Sequence, residues 1–537
     1  MMRKLVQWLI LLSSAWGMSR PLHAQRGSDW VTVGNDAQRS YWVRSDPKIS
    51  PATMSKPGFQ LVWKIKLKNK ALQLNSLTAP ALFDFYIGYR GFRALGFVGG
   101  SENNVVAIDT DLGRIEWQKQ LGSKFGHGNS LDCPGGMTSS LARPGSVGYP
   151  TAWSRGSGRG GPAKSGVGEP LEGAVTLKEQ LPPVTPPPPA TKPDGKPIPQ
   201  FNPYAPVVQY IHAVTPDGKF HSLYVSNGEE PNPPLQFLPS KANASGLMVY
   251  DNVAYVATVN GCGNVEKGIW ALDLESKKVS QWKTARELSG STGFAAGPDG
   301  VLYAAAGADL VALEPGTLSV KSSYQTETEF TSSPIVFEYH GKDIVAVAAK
   351  EGQVHLFDSA AIKSQPLAKS PSVSKDSILR TLSSFQDSAG RRWILASALG
   401  SLTSVSKSWQ SHGDVANGAI VAFEVADENG SISVQPRWIS RDMIAPLAPA
   451  VVNGVIFALS SGDFHSTEKR VSLKQRLKQS TPAVLYALDG ATGNESWNSG
   501  SAITSFVHSG GLAVSGSQIY VGSHDGTQYA FGFPVEH

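Results

Sequence analysis

The chain has 537 residues, of which 41% are hydrophobic, 9% aromatic and only 17% charged, with a formal net charge of +5. That composition is too apolar for a disordered chain, and its near-balanced charge leaves no nucleic-acid footprint. Beyond the N-terminus no apolar run reaches the roughly 18 residues of a membrane helix.

Residues 1–24 read as an export signal. Arg3 and Lys4 form a basic start, Leu5 to Met18 an apolar run, and Leu22-His23-Ala24 a cleavage site. The mature chain is expected to begin near Gln25 and to be periplasmic or secreted, with no membrane-spanning segment after cleavage. Farther on, Gln60-Leu61-Val62-Trp63-Lys64-Ile65 reads as a strand with no partner in its own neighbourhood.

From there the chain repeats. The unit is an apolar residue, Ala, a second apolar residue and an acid. It reads Val-Ala-Ile-Asp at 106–109, Trp-Ala-Leu-Asp at 270–273 and Val-Ala-Leu-Glu at 311–314. It returns as Val-Ala-Phe-Glu at 421–424 and Tyr-Ala-Leu-Asp at 486–489. Degenerate copies stand at 212–215, 355–358 and 529–532. Each copy is preceded by two short strands and followed by a turn, then often by Trp: Trp117, Trp282 and Trp497. Four short strands recurring about every 40–45 residues are the signature of a propeller blade. The expected fold is all-β, a single eight-bladed propeller spanning 25–537. The last repeat stops after its third strand, so the strand around Trp63 is expected to complete it and close the ring. Asp109, Asp273 and Asp489 are expected to hold their turns. Trp63, Trp117, Trp282 and Trp497 are expected to pack between blades.

Within a blade, strands A to D run from the channel outward. The D–A and B–C connections share one face. Three insertions are expected in B–C loops: about 155–206 in blade 2, Leu402 to Gly418 in blade 6 and Asp463 to Pro482 in blade 7. The first carries eleven prolines between 181 and 206 and reads as an extended excursion. The third alternates Lys469, Arg470, Lys474, Arg476 and Lys478 with Val471, Leu473 and Leu477. It is compatible with a short helix facing an acidic partner or membrane headgroups, or with a solvated loop. Cys133 and Cys262 are the only cysteines. They map to adjacent blades on this same face, and in an exported protein they are expected to pair. No Cys-x-x-Cys-His motif exists for covalent haem. His127, His412, His465, His508 and His524 also map to this face, without the tight spacing of a metal site.

The Ala-x-Asp, Thr-Gly, Trp repeat resembles the tryptophan-docking blades of pyrroloquinoline quinone (PQQ)-type propellers. Asp29-Trp30-Val31-Thr32-Val33-Gly34-Asn35-Asp36-Ala37-Gln38-Arg39 resembles the opening of PQQ-dependent alcohol dehydrogenases, and Val521 to Phe531 their last blade. The class holds quinoprotein dehydrogenases and a non-enzymatic outer-membrane assembly propeller. As an enzyme, the resemblance implies PQQ, calcium, an Asp base and oxidation of an alcohol or sugar. Asp309 and Glu266 are the catalytic candidates, and His127, His508, Ser332 and Ser509 the candidates for holding a cofactor. The adjacent cysteine pair of those enzymes is missing, as is their mid-chain Trp-Gly-Arg-Asp stretch. The preferred expectation is therefore a monomeric scaffold that binds a protein or small ligand at the channel mouth. A divergent dehydrogenase is the alternative.

Overall fold

The computed structural model describes residues 29–534 except 89–90, 123–127, 129, 150–208, 374–375, 403–408, 429 and 466–470. The expected signal peptide, His127 and the proline-rich stretch lie outside the described residues. The described chain folds into eight sheets that form the blades of a β-propeller. Runs of Val, Ile, Ala and aromatic residues make the strands, and turn residues end them. In blade 7, Ala450–Val452 and Val455–Ser460 are joined by Asn453 and Gly454, at φ 46° and 82°. Two successive positive φ values are what a tight two-residue hairpin demands.

Blade 1 is typical: Ala81–Gly88, Gly91–Gly100, Asn104–Asp109 and Arg114–Gln120 pair antiparallel in that order. The cores lie between blades. Phe385, Trp393 and Trp438 of blade 6, for example, pack with Val451, Ile456 and Tyr486 of blade 7. In blade 8, Leu512–Ser515, Gln518–Gly522 and Thr527–Gly532 supply three strands, and Gln60–Lys66 pairs antiparallel with Thr527–Gly532 as the fourth. Early and late chain thus share one sheet.

Tryptophans on outer strands dock on the next blade. The Trp63 indole donates to Thr110 O (2.7 Å), Trp117 to Val225 O (2.9 Å) and Trp438 to Gly490 O (3.2 Å). Each ring covers a glycine in the following turn: Gly113, Gly228 or Gly493. Trp282 packs into the core between blades 3 and 4, and Trp497 meets Phe59 and Phe531 edge-on. Asp109, Asp273 and Asp489 each accept two backbone N–H groups of their turn through Oδ1. A Cβ on Gly228, at φ +72°, would stand 2.5 Å from the Trp117 ring, whereas one on Gly316, at φ +70°, meets nothing. Gly228→Ala should therefore cost about 2–4 kcal/mol in a denaturant titration. Gly316→Ala, with the φ strain alone, should cost about 1–2 kcal/mol.

Blade 2 departs from expectation. His212-Ala213-Val214-Thr215 falls in its second strand, Tyr210–Val214, which is bridged on its inner side by Ala142. The third strand is Lys219–Tyr224. Tyr224 takes the place of the motif acid, since Val225 and Gly228 receive Trp117 as Thr110 and Gly113 receive Trp63. The chain between Ala142 and Tyr210 therefore joins strands A and B rather than B and C.

A second feature was not foreseen. Residues 30–46 thread the inner strands of the whole ring. Trp30 exchanges backbone hydrogen bonds with Leu82 of blade 1, and Val31 O accepts from Arg143 N beside blade 2. Thr32 Oγ1 donates to Leu247 O of blade 3. Ala37, Gln38, Ser40 and Tyr41 carbonyls accept from Ala296, Val336, Ser384 and Val451, in blades 4, 5, 6 and 7. Asp46 Oδ2 accepts from Ser517 N of blade 8 (3.1 Å). The open inner edges, which would otherwise need water, are satisfied by the chain's own plug.

The plug also crowds carboxylates. Asp84 N donates to Asp29 Oδ1 (3.0 Å), and Ser515 Oγ donates to Asp84 Oδ1 (3.1 Å). Burial first, then the charges of Asp29, Asp111 and Asp46, push the Asp84 carboxyl up to about 6. A carboxyl raised in the folded state keeps its proton longer than in the unfolded chain. Its contribution is lost as pH rises from about 4 through 6. Asp84→Asn should raise stability by about 1–2 kcal/mol at pH 8 and change little at pH 4, as read by thermal unfolding at both pH values.

Candidate functional site

The later plug residues lie toward the A–B turns, as Asp46 does at Ser517, and the other end of the channel is framed by D–A and B–C connections. Its most developed feature is built on Asp463. Strand Val455–Ser460 delivers Asp463 to the start of the blade 7 B–C loop, where its side chain is only 3% exposed. The loop then forms helix Leu473–Gln479. Ser472 caps it, accepting from Gln475 N, while Gln475 accepts from Ser472 N. That reciprocal cap fixes the helix start and swings Arg476 back over the loop. Arg476 Nε reaches Asp463 Oδ1 at 2.8 Å and Nη2 reaches Oδ2 at 2.7 Å. His508, from the connection entering blade 8, sits with Nδ1 2.7 Å from Oδ2. His465 Nε2 lies 3.5 Å from Oδ2 and 3.0 Å from Arg476 Nη2.

Burial alone would raise the Asp463 carboxyl. Hydrogen bonds from His465, His508 and Arg476 together outweigh it and hold the group well below the usual carboxylate range. Asp463 is therefore a fixed anion with its lone pairs taken, a poor base. Nearby, a β-bulge falls between Leu379 and Thr381 on the inner strand of blade 6. Bulges re-aim side chains. Solvent reaches the Arg380 side chain, although crowding by protein and the Arg476 charge push its guanidinium pKa down against the pull of Asp463. Lys474 and Lys478 stand exposed on the helix, with Leu477 40% exposed between them.

Of the five histidines expected on this face, His465 and His508 come together. His524 lies within electrostatic reach of His508 and Asp463, but its direct contacts are elsewhere: its Nε2 lies 2.8 Å from Gln73 O and its ring stacks on Phe506. His412 Nε2 lies 2.7 Å from Thr492 O, in a cleft shared with Asp414, Arg441 and Glu495. Cys133 and Cys262 form a disulfide that pins the connection between blades 1 and 2 to the B–C loop of blade 3. Asp132 O beside it accepts from Asn243 and Asn260.

The remaining candidates are scattered. Asp309 opens the third strand of blade 4, Asp309–Leu313, opposite Gln325. Glu266 follows the blade 3 loop and pairs with Lys283 at the surface. Ser332 is fully buried and its Oγ accepts from Ala348 N, while Ser509 Oγ donates to Leu77 O. These hydroxyls tie strands to one another. A quinone bound with calcium needs several converging oxygen ligands and a free base. Among the described residues no group of three or more His, Cys, Asp or Glu side chains could hold a metal ion. The one converging set, around Asp463, is closed by Arg476. The Asp463 group therefore offers neither a free base nor an open ligand set for that cofactor.

No protein-family model matches this chain, and no curated protein does. Among solved structures it is similar to a quinohemoprotein alcohol dehydrogenase from Comamonas testosteroni, at 12% identity and TM-score 0.53, over 95% of this chain and 81% of that one. It is also similar to a europium-containing methanol dehydrogenase, at 11% identity and TM-score 0.55, over 94% and 98%. BamB from Moraxella catarrhalis matches at 14% identity and TM-score 0.45, over 89% and 99%. At such identities the two dehydrogenase structures establish the fold, a β-propeller like theirs, and nothing about activity.

Proposed function

We propose that this PQQ-type propeller is an exported, non-catalytic binding protein whose partner is an acidic protein segment docking at the channel mouth. The observation that carries the reading is the self-saturated Asp463 group. Its carboxylate is spent on Arg476, His465 and His508. Arg380, Lys474 and Lys478 are exposed, and Leu477 is exposed between the two lysines, giving a cationic surface with an apolar side chain in it. Such a surface offers charge complementarity rather than chemistry. The Cys133–Cys262 disulfide supports an oxidising compartment, in keeping with removal of residues 1–24 on export. Rigid blades beneath variable loops suit this role.

Photocrosslinking in the producing cell tests it. A photoreactive residue placed at Lys474 or Lys478 should give a discrete protein adduct, and Arg380→Glu should weaken that adduct. The same residue at Lys342, in the A–B turn of blade 5, should give none. Equal adducts from all three positions, or none from 474 and 478, would overturn the proposal.

A further inference from the structure

The plugged end of the channel holds a second charged group, independent of the mouth. The Arg44 guanidinium lies 4.3 Å from the Trp42 ring centroid, and the Arg392 guanidinium lies 5.5 Å from the same ring. Arg392 is only 6% exposed and also sits 5.4 Å from the Phe337 ring. Its Nη2 donates to Glu338 O at 3.0 Å, but its Nε is buried with no partner. Arg44 Nη1 is likewise buried with no partner.

Oxygens of the nearby carboxylates already accept hydrogen bonds. Both Asp36 oxygens accept from Ser40. Asp343 Oδ1 accepts from Tyr149 Oη at 2.7 Å, and Glu338 Oε1 accepts from Gly341 N at 2.7 Å. On the inner strand bonded to Ser40, the Ser383 and Ser384 hydroxyls are also buried without partners. Burial first, then the neighbouring Arg44 charge, push the Arg392 guanidinium down to about 10, so both side chains remain cations at neutral pH. Asp36 favours the Arg44 charge and Glu338 the Arg392 charge, but burial outweighs both, and two crowded cations with orphaned N–H donors are costly unless an anion joins them. Contact with the Trp42 indole softens this only partly.

We propose that the Trp42 end of the channel is a binding site for a small oxyanion, held by Arg44 and Arg392. The oxyanion supplies both the missing charge and the acceptors that Nη1 and Nε lack. Phosphate and carboxylate share that chemistry, and the experiment separates them. The purified mature protein is titrated with inorganic phosphate and, separately, with acetate, by calorimetry and thermal shift. Ionic strength is held constant with sodium chloride. One of the two should bind saturably at one site and raise the melting temperature with concentration, which identifies the class. Arg44→Gln, whose side chain is only partly buried, should weaken that binding about tenfold or more. Circular dichroism checks that the variant is folded. Saturable binding of neither anion overturns the site, and this needs no variant. Unchanged affinity in folded Arg44→Gln overturns it as well.

Discussion

Replacing Arg39 by Met should cost the propeller about 3–5 kcal/mol of unfolding free energy, the range for breaking a buried charged network. Arg39 is 1% exposed at the centre of the plug. Its Nε donates to Phe294 O (3.2 Å), its Nη1 to Thr32 Oγ1 (3.0 Å) and Val33 O, and its Nη2 to Gly246 O (2.6 Å). One fork thus ties the plug to blades 3 and 4. Met keeps the volume and strands several buried acceptors, each of which costs about 1–3 kcal/mol. Arg39→Lys restores the charge without the fork and should recover only part of the loss. Gly246, at φ +68°, leaves no room for a Cβ, which would stand 2.1 Å from Thr292 O. A loss under about 1 kcal/mol in guanidinium titrations of the Met variant would mean that the plug does not hold the ring.

Asp463→Ala is the second large effect, again about 3–5 kcal/mol, because Arg476 would be left without its partner. It also carries a pH signature. The carboxyl is depressed in the folded state, so its stabilisation is present above the unfolded value near 4 and fades as pH falls below it. Melting temperatures measured from pH 6 down to pH 2.5 should fall more steeply for the wild type than for the Ala variant. Parallel curves would show that Asp463 gains nothing from its three donors.

Much of this fold could be read from the sequence because each blade repeats one packing problem. Ala must be small where the neighbouring blade presses in, and Trp must be large to cover the next turn. Asp109, Asp273 and Asp489 announce the turns. Blade 2 misled because its second strand carries His212-Ala213-Val214-Thr215, as apolar as any motif copy, while the true copy has Ser222 and Tyr224 in place of Ala and Asp. Only Gly228, under Trp117, marked the register of that blade. The plug escaped notice because residues 30–46 have no period. Each bonds to a different blade, and Asn35, Arg39 and Tyr41 take positive φ values that no pattern announces. His508 could be placed on the mouth face from blade order. Its partner could not, because Asp463 and Arg476 meet only through the turn of a seven-residue helix.

Whether the mouth binds a partner or oxidises a substrate is decided most directly by titrating PQQ into the purified mature protein and following tryptophan fluorescence, with and without excess calcium. A carboxylate already closed by Arg476, His465 and His508 predicts no saturable quenching under either condition. Saturable, calcium-dependent quenching at micromolar PQQ would contradict the binding-protein reading and make this propeller a dehydrogenase.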